Sequence, residues 1–461
     1  MRVKPSIFIP TLYFAEGLPY TIVNMMSVVF YKNLGAQNAF IGWSTSLLAL
    51  PWTLKFLWSP LVDVYGTKKR WIVVAQAVLA FIVLLVGLSC FLPDPIYVTL
   101  VIFLVVAVAS ATHDIAIDGY YMDVLDKGQQ AYYVGIRNAA YKVAWLLGSG
   151  FLVFLAGTVA ESSNLGVKGG WFVSFLTCSV LLLVCSLFHM KALPEPEASM
   201  AEESANIDKS QKKVGRLGPK EFLTIFLDFL DQPRIVAIVT YILIFRLGDA
   251  LMLKMAQPFL LDELSKGGLA LKTQEVGIIY GTVGMLFLLA GGIFGGWLVS
   301  KYGLKKTLMP TAIVQNGAIL LYWWLAHVSP GGNSFNLGVD LRAVYNAFVP
   351  VSDSVHLRFL DSEIVLATLV NSIEQFSYGL GVAAYTVFLL STVKQSYKAA
   401  HYAIATALMA MGLLIPGAVS GFIQESLGYE LFFLVSFLVS VPGIIVILFL
   451  PLEQEKEPVL E

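Results

Sequence analysis

Long apolar runs separated by short polar loops dominate this chain. Crossing a hydrocarbon core about 30 Å thick takes roughly 20 helical residues, and twelve runs reach that length. They lie near residues 7–31, 39–62, 71–92, 96–122, 129–157, 170–190, 235–261, 275–299, 307–328, 364–392, 399–423 and 429–451. The pattern predicts an all-α integral membrane protein with twelve transmembrane helices in two groups of six.

A polar segment poor in aromatic residues separates the two groups and is typical of an interdomain linker. We predict an amino-terminal half over residues 1–192, a cytoplasmic linker over 193–233, a carboxy-terminal half over 234–452 and a tail over 453–461. Apolar residues at helical spacing over 220–230 indicate a short surface helix or an extension of the seventh span. A longer loop, 329–363, is expected to face the outside.

The placement of Lys and Arg predicts the orientation in the membrane. Loops on the side of the amino terminus hold nineteen of these residues, against six in the opposite loops. Because cytoplasmic loops carry the excess of positive charge, both termini are expected in the cytoplasm and the protein in the inner membrane. The basic start of the chain runs into apolar residues without a cleavage pattern, so we interpret this segment as a retained first span.

One loop sequence occurs twice. L-V-D-V-Y-G-T-K-K at 61–69 returns as L-V-S-K-Y-G-L-K-K at 298–306, identical at six of nine positions. Parallel repeats place equivalent loops on one side of the membrane, so the spacing indicates a duplicated six-span unit. Both copies resemble a loop of the major facilitator superfamily, which implies a gating role or, alternatively, control of topology. The residues concerned are Asp63, Gly66, Lys68, Lys69, Gly303, Lys305 and Lys306.

Composition agrees with the membrane class. Of 461 residues, 57% are hydrophobic and 13% charged, with a mean hydropathy of +0.75, whereas soluble domains carry about 25% charged residues. The net charge of −1 offers no argument for nucleic-acid binding. The sequence contains no Walker loop, zinc signature or nucleophile elbow, so we predict neither an enzyme nor a cofactor.

Ten ionisable residues nevertheless fall inside the predicted spans, away from the ends of the spans. A charge at the bilayer centre costs about 2.5–3.5 kcal/mol on insertion scales, so these side chains must face a polar interior or one another. They are Glu16, Lys55, Asp114, Asp118, Arg137, Lys142, Arg246, Asp249, Lys254 and Glu374.

Two of these acids, Asp114 and Asp118, share one helical face because they are four positions apart. Arg137 lies at a similar depth on the next span, which predicts an Asp114–Arg137 pair. Arg246 and Asp249, three positions apart, are expected to neutralise each other along one helix. The aspartates either lock the amino-terminal half or form a charge network that changes partners during transport.

Two spans are expected to break beside a charged residue. Pro19 removes the hydrogen bond to the carbonyl of Ala15, next to Glu16, and a broken span with a carboxylate is a common substrate or proton site. Lys55, four residues after Pro51, repeats the arrangement with a cation. Burial disfavours the charged form of a carboxylate, so four acids are candidate proton carriers: Glu16, Asp114, Asp118 and Glu374.

The histidines are candidates for titration near neutral pH. His113 lies within a predicted span. His189, His327 and His401 are expected at the membrane interface.

Three segments resemble the muropeptide permease (AmpG) family and its acetyl-CoA transporter relatives. They are F-A-E-G-L-P at 14–19, K-F-L-W-S-P-L-V-D at 55–63 and H-D-I-A-I-D-G-Y-Y-M-D-V-L at 113–125. The resemblance implies a monomeric, proton-driven importer of N-acetylglucosaminyl-anhydromuramyl peptides, with polar positions at Lys55, Asp114, Asp118 and Asp123. Glu16 and His113 depart from the family pattern, and the second half matches only as a generic facilitator.

An anionic cargo of this kind implies binding by cations and by aromatic faces. The candidates are Lys55, Arg137, Lys142, Arg246, Lys254, Tyr120 and Tyr141. Two alternatives stay open: a carrier of acetyl-CoA or another organic anion, and a membrane receptor that transports nothing.

Overall fold

A computed structural model describes residues 4–194, 227–328, 362–392 and 398–452. In the amino-terminal part its helices are α1 (Pro5–Thr21), α2 (Ser27–Asn33), α3 (Asn38–Leu54), α4 (Ser59–Val64), α5 (Lys68–Ser89), α6 (Pro95–Val124), α7 (Lys127–Trp145), α8 (Val153–Ser162) and α9 (Gly166–Ala192). In the carboxy-terminal part they are α10 (Ile235–Ile244), α11 (Leu247–Leu261), α12 (Thr273–Val276), α13 (Met285–Tyr302), α14 (Leu304–Gly317), α15 (Ile319–Val328), α16 (Ser362–Ser391) and α17 (Lys398–Val446). Short π-helical or 3-10 segments join several of them, at Ile22–Met26, Lys55–Leu57, Leu146–Leu152, Gly277–Gly284 and Ile447–Phe449.

Each predicted apolar run falls on a helix, so the all-α membrane class is confirmed. Eight stretches among the described residues are long and apolar enough to cross a membrane. One of them, Ile404–Phe449, is 46 residues long and is interrupted at Gly428, whose φ of 73° lies in the left-handed region. The total of twelve crossings stays a prediction.

The chain separates into two compact units, which hold the described residues 4–36 with 44–194, and 37–43 with 227–452. In the first unit α1 packs on α7, and α5 packs on both α6 and α9. Buried rings of Phe30, Phe103, Trp171 and Phe175 contact one another mainly edge to face, a geometry that aromatic quadrupoles favour.

Glycines bring helices of the second unit into close contact. On α13, a side chain at Gly291 or Gly295 would overlap carbonyl oxygens of α16. Such small residues let helix backbones approach in a membrane, where close packing replaces the hydrophobic effect as the driving force.

A glycine with positive φ stands at the equivalent position in both copies of the repeated loop. Gly66 follows α4 with a φ of 75°, and Gly303 follows α13 with a φ of 77°. A residue with a Cβ is strained in this region, which explains glycine at both turns.

Several predictions concern residues that lie wholly or largely outside the described ones. They are the linker over 193–233 with its surface helix, the loop over 329–363 and the tail over 453–461. The predicted domain limits stay predictions.

Candidate functional site

The first helix is interrupted close to Glu16. Pro19 lies inside α1, which passes into π-helical turns at Ile22–Met26, and π-bulges often mark functional positions. Gly17 lies against α7, where an added Cβ would sit 2.9 Å from the carbonyl oxygen of Tyr141. This contact leaves Glu16 buried, with 7% of its surface exposed.

The helix that carries Lys55 also breaks at the predicted place. After Pro51, α3 ends at Leu54, and Lys55 opens a 3-10 turn that leads into α4. The ammonium of Lys55 forms an ion pair with Oδ2 of Asp114 on α6.

A second carboxyl group meets the same aspartate. The carboxyl groups of Glu16 and Asp114 lie close to each other, and Oε2 of Glu16 is buried without a hydrogen-bond partner. Two carboxyl groups can share a hydrogen bond only when one of them carries a proton. Glu16, Asp114 and Lys55 therefore form a triad, a name we keep for these three residues, in which two acids face one cation.

Arg137 lies one helical turn away from this triad, beside Asp118. Its Nη1 donates to the hydroxyl of Tyr13 at 3.0 Å and reaches Oδ1 of Asp118 at 3.5 Å. The Tyr13 hydroxyl donates to the same carboxylate at 2.9 Å. The predicted Asp114–Arg137 pair is therefore wrong: Lys55 takes Asp114, while the rings of Tyr13 and Tyr121 hold the guanidinium at 5.1 and 5.0 Å.

Four aromatic side chains form a cluster near the carboxy-terminal end of α1. The rings of Tyr20 and Trp145 lie parallel, with centroids 5.7 Å apart, and Trp52 meets Tyr20 edge-on at 5.0 Å. Tyr141 completes the group at 5.9 Å from Trp145. The ammonium of Lys142 lies 3.5 Å from the centroid of the Trp145 ring, so two candidate binding residues meet in this aromatic cluster.

The second unit holds a buried polar group around Asp249. The predicted pair with Arg246 is confirmed at 3.9 Å, and both side chains are almost fully buried. Gln315 donates to the carboxylate of Asp249, and Arg246 donates to the hydroxyl of Tyr378. Every member of this group thus contacts another polar group of the same unit.

Glu374 and Lys254, also candidates in the second unit, lie on α16 and α11. Glu374 is 3% exposed and accepts a hydrogen bond of 2.9 Å from the amide of Gln375. Lys254 is half-buried.

Tyr120 is placed away from any binding surface. Its ring is fully buried in a hydrophobic core against Phe8, and its hydroxyl donates to the carbonyl of Pro194 at 2.7 Å.

The loop residues of the repeat differ in what they contact. Lys68 forms an ion pair of 3.2 Å with Asp123 at the end of α6, across the face of Gly119. Lys69 is half-buried, and Lys305 and Lys306 are exposed. The side chain of Asp63 lies outside the described part of the chain.

Sequence reasoning missed a buried chain of polar side chains beside the triad. Nε2 of His113 lies 3.0 Å from the amide of Gln76, whose other end lies 2.9 Å from Nδ1 of His189. Nε2 of His189 lies 3.0 Å from the hydroxyl of Thr11. The signal in the sequence was Gln76, a lone amide in an apolar run, which requires buried hydrogen-bond partners.

Two histidines expected at the interface are buried instead. His189 and His401 have no exposed surface, and Nε2 of His401 lies 3.4 Å from Oδ2 of Asp228. Helix ends do not imply exposure when a neighbouring element covers them. His327 is exposed, and its position at the membrane interface stays a prediction.

Residues 11–347 match the model of the Major Facilitator Superfamily. The chain belongs to this family. It is a multi-pass membrane transporter, and this assignment indicates transport rather than enzymatic catalysis.

Curated relatives point to a narrower group. The anhydromuropeptide permease of Escherichia coli K12 is 25% identical over 95% of this chain and 78% of that protein. A putative transporter, AmpG 4 of Rickettsia conorii, is 22% identical over 94% of each chain. The resemblance to the muropeptide permease family is confirmed.

Solved structures support the fold. A bacterial homologue of the human lysosomal transporter Spinster superimposes with a TM-score of 0.66 over 96% of this chain and 95% of its own, at 12% identity. At that identity the likeness concerns the fold alone.

Proposed function

We propose that this protein imports anionic cell-wall muropeptides, N-acetylglucosaminyl-anhydromuramyl peptides, together with protons, for peptidoglycan recycling. It acts as a monomer in the inner membrane, with both termini in the cytoplasm, by alternating access of its two halves. The E. coli relative is named as an anhydromuropeptide permease, and this supports the choice of substrate. The triad supports proton coupling and is the observation on which the proposal depends.

The charge of the triad changes with a single proton. When Glu16 and Asp114 share a proton, one negative charge faces Lys55 and the triad is neutral. Without that proton, two carboxylates face one ammonium and the triad carries a net charge of −1. A net charge held at membrane depth is unfavourable and repels an anion, so proton uptake favours binding of an anionic solute.

Each unit contributes further candidate charged groups of its own to the proposal. Arg137 beside Asp118 extends the charge network of the triad, and Glu374 is a further carrier candidate in the second unit. The proposed contacts to the substrate are Lys55, Arg137, Lys142, Tyr141, Arg246 and Lys254.

Uptake by the purified protein in proteoliposomes tests this proposal. A labelled anhydromuropeptide should accumulate only with an inwardly directed proton gradient, and a protonophore should abolish accumulation. The variant Glu16→Gln should no longer accumulate the substrate when a proton gradient is applied, because an amide cannot exchange the proton. Asp94→Asn is the matched control, since this exposed carboxylate at the start of α6 caps no helix.

Three results would overturn parts of the proposal. Accumulation without a gradient excludes proton coupling. If acetyl-CoA competes with the labelled muropeptide and unlabelled muropeptide does not, the proposed substrate is wrong. If the ligand binds and no flux is measured, the protein is a receptor and not a transporter.

A further inference from the structure

Lys142 differs from the other cations in the spans of the first unit. Lys55 faces Asp114, and Arg137 faces Asp118. Among the described residues, Lys142 has no carboxylate partner; its ammonium lies on the indole ring of Trp145. An ammonium on a ring face is stabilised by the ring quadrupole, so the indole replaces a counter-ion.

The aromatic cluster that contains Trp145 comes from three helices. Tyr20 belongs to α1, Trp52 to α3, and Tyr141 and Trp145 to α7. All four rings are partly exposed, although each lies within a predicted span. This surface combines one cation with several aromatic rings, and its Tyr141 lies near Glu16 and Asp114 of the triad.

An ammonium and an indole face recognise complementary parts of one ligand. The ammonium binds a carboxylate through charge-assisted hydrogen bonds. The indole face binds the apolar face of a ring, by the same burial and quadrupole effects that pair aromatic side chains.

We propose that Lys142 and Trp145 form a two-part subsite for an acidic sugar derivative. The carboxylate of the ligand draws the ammonium off the indole, and the ligand's ring takes the place that the ammonium leaves. This inference rests on the proposed function and assigns part of its substrate to named residues.

The exchange requires no ion pair to break. Binding a carboxylate at Lys55 or Arg137 would separate these residues from Asp114 or Asp118. At Lys142 only a cation–ring contact is given up, and a ring contact replaces it. The acidic end of the substrate therefore binds at Lys142 first.

Binding of paired ligands to the full chain in nanodiscs tests the subsite. One pair is an anhydromuropeptide and the same compound with its carboxylates converted to amides; the other is a phenyl-linked sugar acid and its amide. The wild type should bind each acid at least about tenfold more tightly than its amide, as expected for a hydrogen bond to a charged group.

Three variants separate the two parts of the subsite. Lys142→Gln should lower the acid-to-amide ratio by about tenfold without weakening binding of the amide, and Lys142→Arg should keep the preference. Trp145→Leu should weaken acid and amide alike. Lys191→Gln, which changes an exposed lysine at the end of α9, should alter nothing.

The outcomes distinguish the subsite from the proposed function. If the wild type transports muropeptide and Lys142→Gln keeps the preference for the acid, the subsite is wrong and the function stands. If muropeptide neither binds nor crosses while the sugar acid shows the predicted ratios, the substrate is wrong and the subsite stands. A wild type that distinguishes neither acid from its amide overturns the subsite.

Discussion

The ion pair between Lys55 and Asp114 makes a quantitative prediction about stability. We consider Lys55→Met, Asp114→Asn and the double variant, each of which removes charge with little change in volume. The side chain of Asp114 is 13% exposed and that of Lys55 is 34% exposed. The two single changes should therefore differ in cost.

The exposed fractions of the two side chains set the order of magnitude of the loss in unfolding free energy. Breaking a buried ion pair costs about 3–5 kcal/mol, because the remaining charge stays desolvated, whereas exposed pairs contribute about 0–1 kcal/mol. Lys55→Met leaves the buried Asp114 beside Glu16 and should cost about 3 kcal/mol. Asp114→Asn leaves a lysine that water partly reaches, so we expect about 2 kcal/mol. The double variant leaves neither charge and should cost less than either single change.

Reversible unfolding in mixed detergent and SDS measures these free energies, and the double-mutant cycle gives the coupling. We expect a coupling of about 3 kcal/mol, since contacting residues deviate from additivity by this order. Lys68→Met with Asp123→Asn is the matched control, a pair at helix ends with 22% and 25% exposure. Its coupling should be smaller because neither member is as buried as Asp114. If the double variant is as unstable as the two single costs added together, Lys55 and Asp114 do not interact as described.

Three further predictions concern other positions. Glu16→Gln should abolish gradient-driven accumulation yet retain exchange of labelled for unlabelled substrate; accumulation at the wild-type level would exclude Glu16 as the carrier. Gly119→Ala would place its Cβ 2.6 Å from Cε of Lys68 and displace this lysine, so uptake should fall while the unfolding free energy changes little; unchanged uptake would remove the loop from the transport cycle. Gly291→Ala would overlap a carbonyl oxygen of α16 and should cost about 1–3 kcal/mol in the same unfolding assay, whereas Gly296→Ala, with nothing within 4 Å, should not destabilise; equal effects would contradict the close packing of α13 on α16.

Sequence reasoning worked where the physical cause is local. The hydrophobic runs predicted the helices because a bilayer requires each span to satisfy its own backbone hydrogen bonds. The break after Pro51 and the change from α to π turns after Pro19 follow from the missing proline N–H. The pair of Arg246 with Asp249 follows from short sequence separation, since Arg246 directly precedes α11 and Asp249 lies in its first turn.

Sequence reasoning failed where the rotation of one helix against another decides the contact. Depth alone suggested that Arg137 meets Asp114, but Lys55 from another helix occupies that carboxylate. The burial of His189 likewise depends on Gln76 and Thr11, which belong to two other helices.

The sequence by itself determined that this chain is a helical membrane protein with a duplicated loop and ten ionisable residues in need of partners. These conclusions depend on hydrophobicity and on the cost of charge in a bilayer. Both are properties of each segment by itself and do not depend on its neighbours. Only the tertiary structure decided that Glu16 shares Asp114 with Lys55 and that Lys142 rests on Trp145. Side-chain pairing requires the relative rotation of several packed helices, which no single helix encodes.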